Sequence, residues 1–375
     1  MNCRMEYTLI QQTPIIHFQH DQKGATLRAT EVKPKLDKFI VNKLGGKDNV
    51  PKNWFIADTK ALNYKLHICD DGRKKTEKLG FGTSYSIYYG NMGNSDMKKE
   101  GVVCDCKMTI TCFYSDLMNK ISEVLSEFFI VTNFGTMQNK GFGSYIVKGS
   151  DVSPSVIAGY LKANYNNKKC YTFQPGANVF DDIKNVYAFM KSGRNYKGYQ
   201  RSLLFLFLHE KYGLGNEKAW LKQQGLAPCD VGKNAEEWNK LPSNHPNCYA
   251  RALLGVGDHV EFIEDVNNKK NKTTVGMKSS VVERVASPIF FKVINNNVYY
   301  VAKTIPDKVY GAKFEFASKN SRNKPIGKDN LSVPKKEQLS DSYMQEFLDY
   351  CMKKLNNEVF RKFADCKHLR IKEVD

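Results

Sequence analysis

The chain has 375 residues, a length that suggests two or three folding units at roughly 150 residues each. It carries 57 Lys and Arg against 39 Asp and Glu, a net charge of +18, with 41% hydrophobic and 12% aromatic residues. That is too much core-forming material for a disordered chain, and no apolar run reaches the ~18–20 residues of a membrane span. Residues 202–208 come nearest before His209-Glu210-Lys211 ends them, and the N-terminus lacks a basic-then-apolar signal pattern. A soluble protein is expected. The ten cysteines lack the spacing of a disulfide framework, so free thiols in a reducing cytoplasm are expected. The excess of positive charge points to a polyanion, and 20 Tyr with 22 Phe available for stacking favour RNA over a membrane surface. A lysine-rich proteome would give the same excess with no such partner.

Residues 6–18 read as a first strand, rich in Tyr, Ile and Thr, with Pro14 barring a helix. Val32, Leu36, Phe39, Ile40 and Leu44 then form an amphipathic stripe. Pro34 belongs in a first turn, which puts the helix start near Glu31 with Thr30 as cap. Extended segments follow at 62–69, 83–89 and 106–114, the last with Met108, Ile110 and Cys112 on one face. Ser115 and Asp116 open a second helix, buried through Leu117, Ile121, Val124, Leu125 and Phe128, that ends near residues 133–135. A loop at 136–141 leads to a strand at 144–148. Strand, helix, strands, helix, strand is the split βαβ, or ferredoxin-like, plan: an antiparallel sheet with helices on one face and the other commonly open to RNA.

From 150 to 239 the pattern is helical, with segments starting at Ser153-Pro154 and running over 180–190, 201–212 and 217–223. A proline-bearing loop occupies 227–247. Strands are expected at 259–264, 273–278 and 310–317, with a hairpin at 287–294 and 298–304. Residues 318–336 read as a polar loop and 340–366 as a long closing helix.

Lys140-Gly141-Phe142-Gly143-Ser144 is the most informative pentapeptide. Two glycines one residue apart remove side chains that would hold a polymer off the main chain, so backbone N–H groups can face phosphates while Lys140 supplies charge. A helix-to-strand turn that needs positive φ explains the pair equally well. Its place between the second helix and last strand of a split βαβ unit favours the first reading. Asn133-Phe134-Gly135 followed by this pentapeptide resembles the glycine-rich signature of the RAMP superfamily, the RNA-binding subunits of CRISPR effector complexes. Thr13-Pro14-Ile15-Ile16 with Gly24-Ala25-Thr26-Leu27-Arg28 resembles that superfamily's first strand and helix entry. Leu253-Leu254-Gly255 with Arg284-Val285-Ala286-Ser287-Pro288-Ile289 resembles a block of one branch, the large RAMP subunit at the head end of type III-B (Cmr) effectors.

The resemblance implies an α+β fold of two ferredoxin-like (split βαβ, RRM-like) units with a helical insertion between them: 1–150, then 151–247, then 248–375. It also implies a cytoplasmic, non-catalytic RNA-binding subunit that holds the 3′ part of the guide RNA and helps position target RNA in antiviral defence, with other RAMP subunits as partners and no cofactor. Where the superfamily often has arginines before the glycine loop, this chain has Gln138-Asn139-Lys140, which weakens the phosphate contacts expected there.

Around the first helix entry, Arg28 and Lys35 are candidate phosphate contacts, helped by the helix N-terminus; a solvated helix face accounts for the lysines too. Residues 191–201 interleave Arg194, Tyr196, Lys197, Tyr199 and Arg201, cations for phosphates and rings for unpaired bases. Tyrosines packing locally in an exposed loop is the plain alternative. Arg284 completes the candidates. His17 and His20 could serve a guide-processing endoribonuclease of the same superfamily, yet on a strand they point to opposite faces and make a poor acid–base pair. A protein–protein adaptor is the other rival. Cys104-Asp105-Cys106 with Cys112, and Cys229, His245 and Cys248, lack a complete zinc-ligand spacing. No metal site is expected.

Overall fold

The computed structural model describes residues 3–16, 25–57, 59–79, 99–195, 199–228, 245–257, 259–264, 268, 271–357, 363 and 366–374. The first half builds a sheet from β1 (Arg4–Gln11), β2 (Lys65–Asp70), β5 (Cys106–Thr111) and β6 (Tyr145–Val147), in the order β2-β5-β1-β6. Every pairing is antiparallel. A separate ribbon, β3 (Lys75–Leu79) with β4 (Lys99–Val103), is inserted between β2 and β5; the strand expected at 83–89 lies outside the described residues. Helices α1 (Ala29–Lys43) and α2 (Ser115–Val131) bury Val32, Leu36 and Ile40, and Leu117, Ile121, Leu125 and Phe128, against the inward side chains Cys106, Met108 and Ile110. α1 begins at Ala29, two residues before the expected start, and carries Pro34 inside it. Across the other sheet face run the rows Arg4–Thr111–Lys65, Glu6–Thr109–His67 and Thr8–Lys107–Cys69. These offer polar contacts and no Phe, Tyr or Trp on which a base could stack.

A second sheet has the order β12-β13-β7-β16, from β7 (Cys170–Phe173), β12 (Ile289–Ile294), β13 (Asn297–Ala302) and β16 (Lys372–Val374). β7 lies inside the stretch 151–247 expected to be a helical insertion, while the other three strands of its sheet follow residue 248. α4 (Val179–Lys191), capped by the Asn178 side chain on the amides of Phe180 and Asp181, follows β7 directly, and α7 (Tyr343–Leu355) precedes β16. β12 is buried on both faces. Ile289, Phe291 and Val293 pack into the core shared with α4 and α7, while Phe290 and Ile294 pack against α3 (Pro154–Tyr165) and the end of α2. This sheet therefore has no face left open for RNA over β12.

Between α4 and the end of the chain also lie α5 (Leu203–Tyr212), α6 (Glu217–Gln223) and a third sheet, β10-β11-β14-β15, made by β10 (His259–Ile263), β11 (Lys272–Lys278), β14 (Lys313–Lys319) and β15 (Pro325–Ser332). β15 replaces part of the loop expected at 318–336. The closing helix is shorter than expected, ending at Leu355. A small ribbon, β8 (Arg194–Asn195) with β9 (Tyr199–Gln200), closes α4. No helix of the described residues is long and apolar enough to cross a membrane, and among them no group of three or more metal-ligating side chains gathers.

The two halves meet where α2 ends. Lys292 of β12 is fully buried, and its Nζ donates to the carbonyls of Phe129 (2.7 Å), Thr132 (2.9 Å) and Tyr145 (3.3 Å). Burial pulls its pKa down, yet three acceptors call for three N–H donors, and the carbonyl end of a helix favours a cation. Lys292→Met keeps the stem but leaves those carbonyls dry. It should cost about 2–4 kcal/mol in urea unfolding, and an unchanged midpoint would refute this role.

Candidate nucleic-acid interface

The glycine loop is built by two short segments pressed together. Phe134 N donates to Gly143 O (3.0 Å), and Asn133 and Ser144 form a bridge. Gly143 N donates to Pro14 O (2.9 Å) and Ser144 N to Thr13 Oγ1 (3.0 Å), while Thr13 Oγ1 donates to Gly141 O (2.6 Å). Gly143 has φ +64°, and a Cβ there would fall inside the Phe134 carbonyl. Gly141 has φ +86° and lies against Val293 and Ile183. Phe142 is fully buried, stacked on Phe180 at 3.8 Å, and Ser144 Oγ donates to Val293 O (2.7 Å).

This corrects the expectation for the pentapeptide. Gly141, Phe142, Gly143 and Ser144 do not present open amides to a ribose-phosphate chain; they are sealed in the seam between the two halves. Both glycines are needed because this chain's own backbone comes close. Lys140 is also buried, with its ammonium over the Tyr187 ring. Desolvation, with Lys191 nearby, holds its pKa well below the ordinary lysine value. Tyr187 OH donates to Leu254 O (2.6 Å) and Lys191 Nζ to Gly255 O (2.7 Å). Burial, then the charge of Arg251, brings Lys191 down to about 7, with Glu217 opposing.

What remains partly accessible is the rim of the seam, around residues 136–139. Glu31 accepts from Gly135 N (2.8 Å) and from Lys35 Nζ (2.8 Å). Lys35 also donates to Asn133 O (3.2 Å) and Gln138 Oε1 (3.1 Å), so its charge is already engaged. Arg28, half-buried, is the N-cap residue of α1, one turn before Glu31. Asn139 donates to Ser287 O (2.9 Å), three residues after the exposed Arg284. Lys303, a residue without any sequence signal, donates to Asn139 Oδ1 (2.8 Å); burial, then the charge of Lys35, lowers its pKa to about 8. Lys35 and Lys303 thus meet at Gln138 and Asn139, with Arg28 at the entry of Lys35's own helix and Arg284 three residues before Ser287.

Of the segment 191–201, Lys191 belongs to the seam, whereas Arg194 and Arg201 are placed elsewhere. Arg194 is half-buried, its guanidinium near the Phe189 and Phe363 rings (5.4 and 5.7 Å) and donating to Cys366 Sγ. Tyr199 pairs through its backbone with Asn195, and the half-buried Arg201 precedes Ser202, the N-cap of α5. Tyr196 and Lys197 lie outside the described residues, as do His17 and His20.

Sequence models of the Cmr1 N-terminal domain and the Cmr1 C-terminal domain match residues 2–194 and 199–373. The chain belongs to the Cmr1 family. No curated protein matches it. Among solved structures, apo Cmr1 from Pyrococcus furiosus is similar at 9% identity and a TM-score of 0.41, over 99% of this chain and 98% of that one. A chain of a type III-B Cmr-beta complex bound to cognate target RNA is similar at 10% identity and a TM-score of 0.29. That match covers 39% of this chain and 58% of the other. In this Cmr1 family member the blocks that resemble the RAMP superfamily and the block that resembles one branch of it converge on one place. Gly255 lies against Val285 and Ser287, Val256 N donates to Val285 O (3.1 Å), Ser287 holds Asn139, and Thr13 and Pro14 hold the glycine loop.

Gly143→Ala should therefore destabilise the fold by about 3 kcal/mol or more, seen in denaturant unfolding, before any effect on RNA is considered. A pH effect follows from Lys191. An unfolded lysine titrates near ~10.4, so between pH 7 and 8.5 the unfolded chain holds more protons here than the folded one, and stability rises with pH. Lys303 acts in the same direction. At higher pH the buried thiols of Cys106 and Cys170, both pushed up to about 12 by burial, work the other way. Lys191→Met should flatten the rise, which amounts to about 1 kcal/mol per pH unit, in unfolding measured across that window.

Proposed function

We propose that this chain is a non-catalytic RNA-binding subunit of a type III-B effector, holding the 3′ part of the guide RNA and helping to position target RNA. Family membership over both halves supports the setting. On this reading each of the first two sheets is a split βαβ unit. Both have the strand order of that plan, the second using β7, α4, β12, β13, α7 and β16, and the RNA lies across the seam between them. The observation that carries the proposal is the placing of Arg28 at the entry of α1 and of exposed Arg284 three residues before the Ser287 that holds Asn139, next to a seam in which Lys35 and Lys303 are engaged internally. Such a site grips sugar and phosphate and leaves sequence to base pairing, as variable guides require. The three outer rows of the first sheet carry no base-stacking ring, so electrostatics dominates over them, while the exposed Phe113 ring lies just past β5.

Guide RNA affinity of the full chain should fall steeply between 50 and 200 mM salt. Arg28→Glu with Arg284→Glu should weaken binding by on the order of tenfold or more with an unchanged unfolding midpoint. End-labelled RNA should stay intact throughout. Undiminished binding by the double variant would reject the rim, and cleavage by the purified chain would reject the non-catalytic assignment.

A further inference from the structure

The third sheet has one face packed and one bare. Phe314, Phe316, Val275 and Met277 point inward, where Phe316 meets Trp220 and Tyr249, and Ser318 Oγ donates to Leu226 O (2.6 Å). Strand alternation then fixes the outer face. Register places Gly276 beside Ala317 and Ala317 beside Lys328, and Thr274 beside Lys319, so the middle of that face is a floor of small residues. Around the floor stand five lysines, Lys272, Lys278, Lys313, Lys319 and Lys328. Two glutamates share the face: Glu261 pairs with Lys272 (2.6 Å) and Glu315 with Lys328 (3.3 Å). Lys278, Lys313 and Lys319 are exposed, and the turn joining β14 to β15 adds exposed Arg322 and Lys324.

We propose that this outer face is a second RNA-binding platform, one that takes the ribose-phosphate backbone of single-stranded RNA without regard to sequence. The inference rests on the RNA-binding reading given above and extends it to a separate surface. The occupant follows from charge and shape. A lysine border with a net positive balance matches a polyanion, while a floor of Thr, Gly and Ala lets a backbone come close. The face supplies no Phe, Tyr or Trp to hold bases, and its Lys side chains act as point charges without the bidentate fit that arginine gives a base edge. Lys272 and Lys278, like Lys313 and Lys319, stand six residues apart on one strand, a reach of about 20 Å that several nucleotides can span.

The test uses the full chain with Lys278→Gln, Lys313→Gln and Lys319→Gln combined, all exposed positions at which folding should persist. Binding of 20-mer oligo(U) and oligo(A) is titrated from 50 to 300 mM salt, beside wild type and the Arg28→Glu, Arg284→Glu variant. The platform predicts equal losses for both oligomers and a slope of log affinity against log salt shallower by about 2. An unchanged slope in the lysine variant, with wild type and the rim variant still differing, overturns the platform and leaves the rim standing. A slope that changes only in the lysine variant supports the platform and removes the rim. Loss of co-purifying protein subunits with unaltered RNA binding would make the face a protein-docking surface and would also overturn the proposal.

Discussion

The contact between residues 133–134 and 143–144 is the constraint around which the molecule is arranged. Two backbones lie so close there that a side chain on Gly143 has no room. From that contact the chain reaches in three directions: to Thr13 and Pro14 just after β1, to Phe291 and Val293 in the second sheet, and to Ser287 through Asn139. Backbone bonds to Pro14, Thr13 and Phe134 hold the seam together from within the chain. The same region sets where α2 stops, since the buried ammonium of Lys292 draws its last carbonyls onto β12.

Formal charge overstates what this protein shows to a polyanion at neutral pH. Lys140, Lys191, Lys292 and Lys303 all lie where burial disfavours the ammonium. Their role is internal, on aromatic rings and backbone carbonyls, and their charge is weakened or enclosed. The field outside comes from residues such as Arg284 and the lysines of β11, β14 and β15. Counting cations along the chain cannot make that distinction, because burial is a property of the assembled sheets.

Elements with a strong period were legible in the sequence. α2 lies where its apolar spacing put it, α6 covers the segment 217–223 read as helical, and β5 alternates as expected. β7 was missed because Cys170–Phe173 is only four residues between lysines and a proline, too short to carry a period. β15 was missed because it is exposed on nearly every residue, so nothing in its composition separates it from a loop. The glycine loop was recognised as a place of close approach, but GxG reports that a backbone needs room and not what fills it. Here the neighbour is the chain itself. Lys303 could not have been found, since its place beside Asn139 exists only after β13 has paired.

The second sheet has a consequence for how the protein comes to exist. Its central strand, Cys170–Phe173, needs β13 on one side and Lys372–Val374 on the other. During synthesis that strand waits beside α5, whose Leu203–Leu208 are all buried in the finished protein, without the segments that will cover either. Contacts this distant in sequence form slowly, and the uncovered intermediate is prone to aggregate. The strands of the first sheet all precede residue 148, whereas the second sheet stays incomplete until its last strand arrives, which is the part of the molecule that a chaperone has most reason to hold.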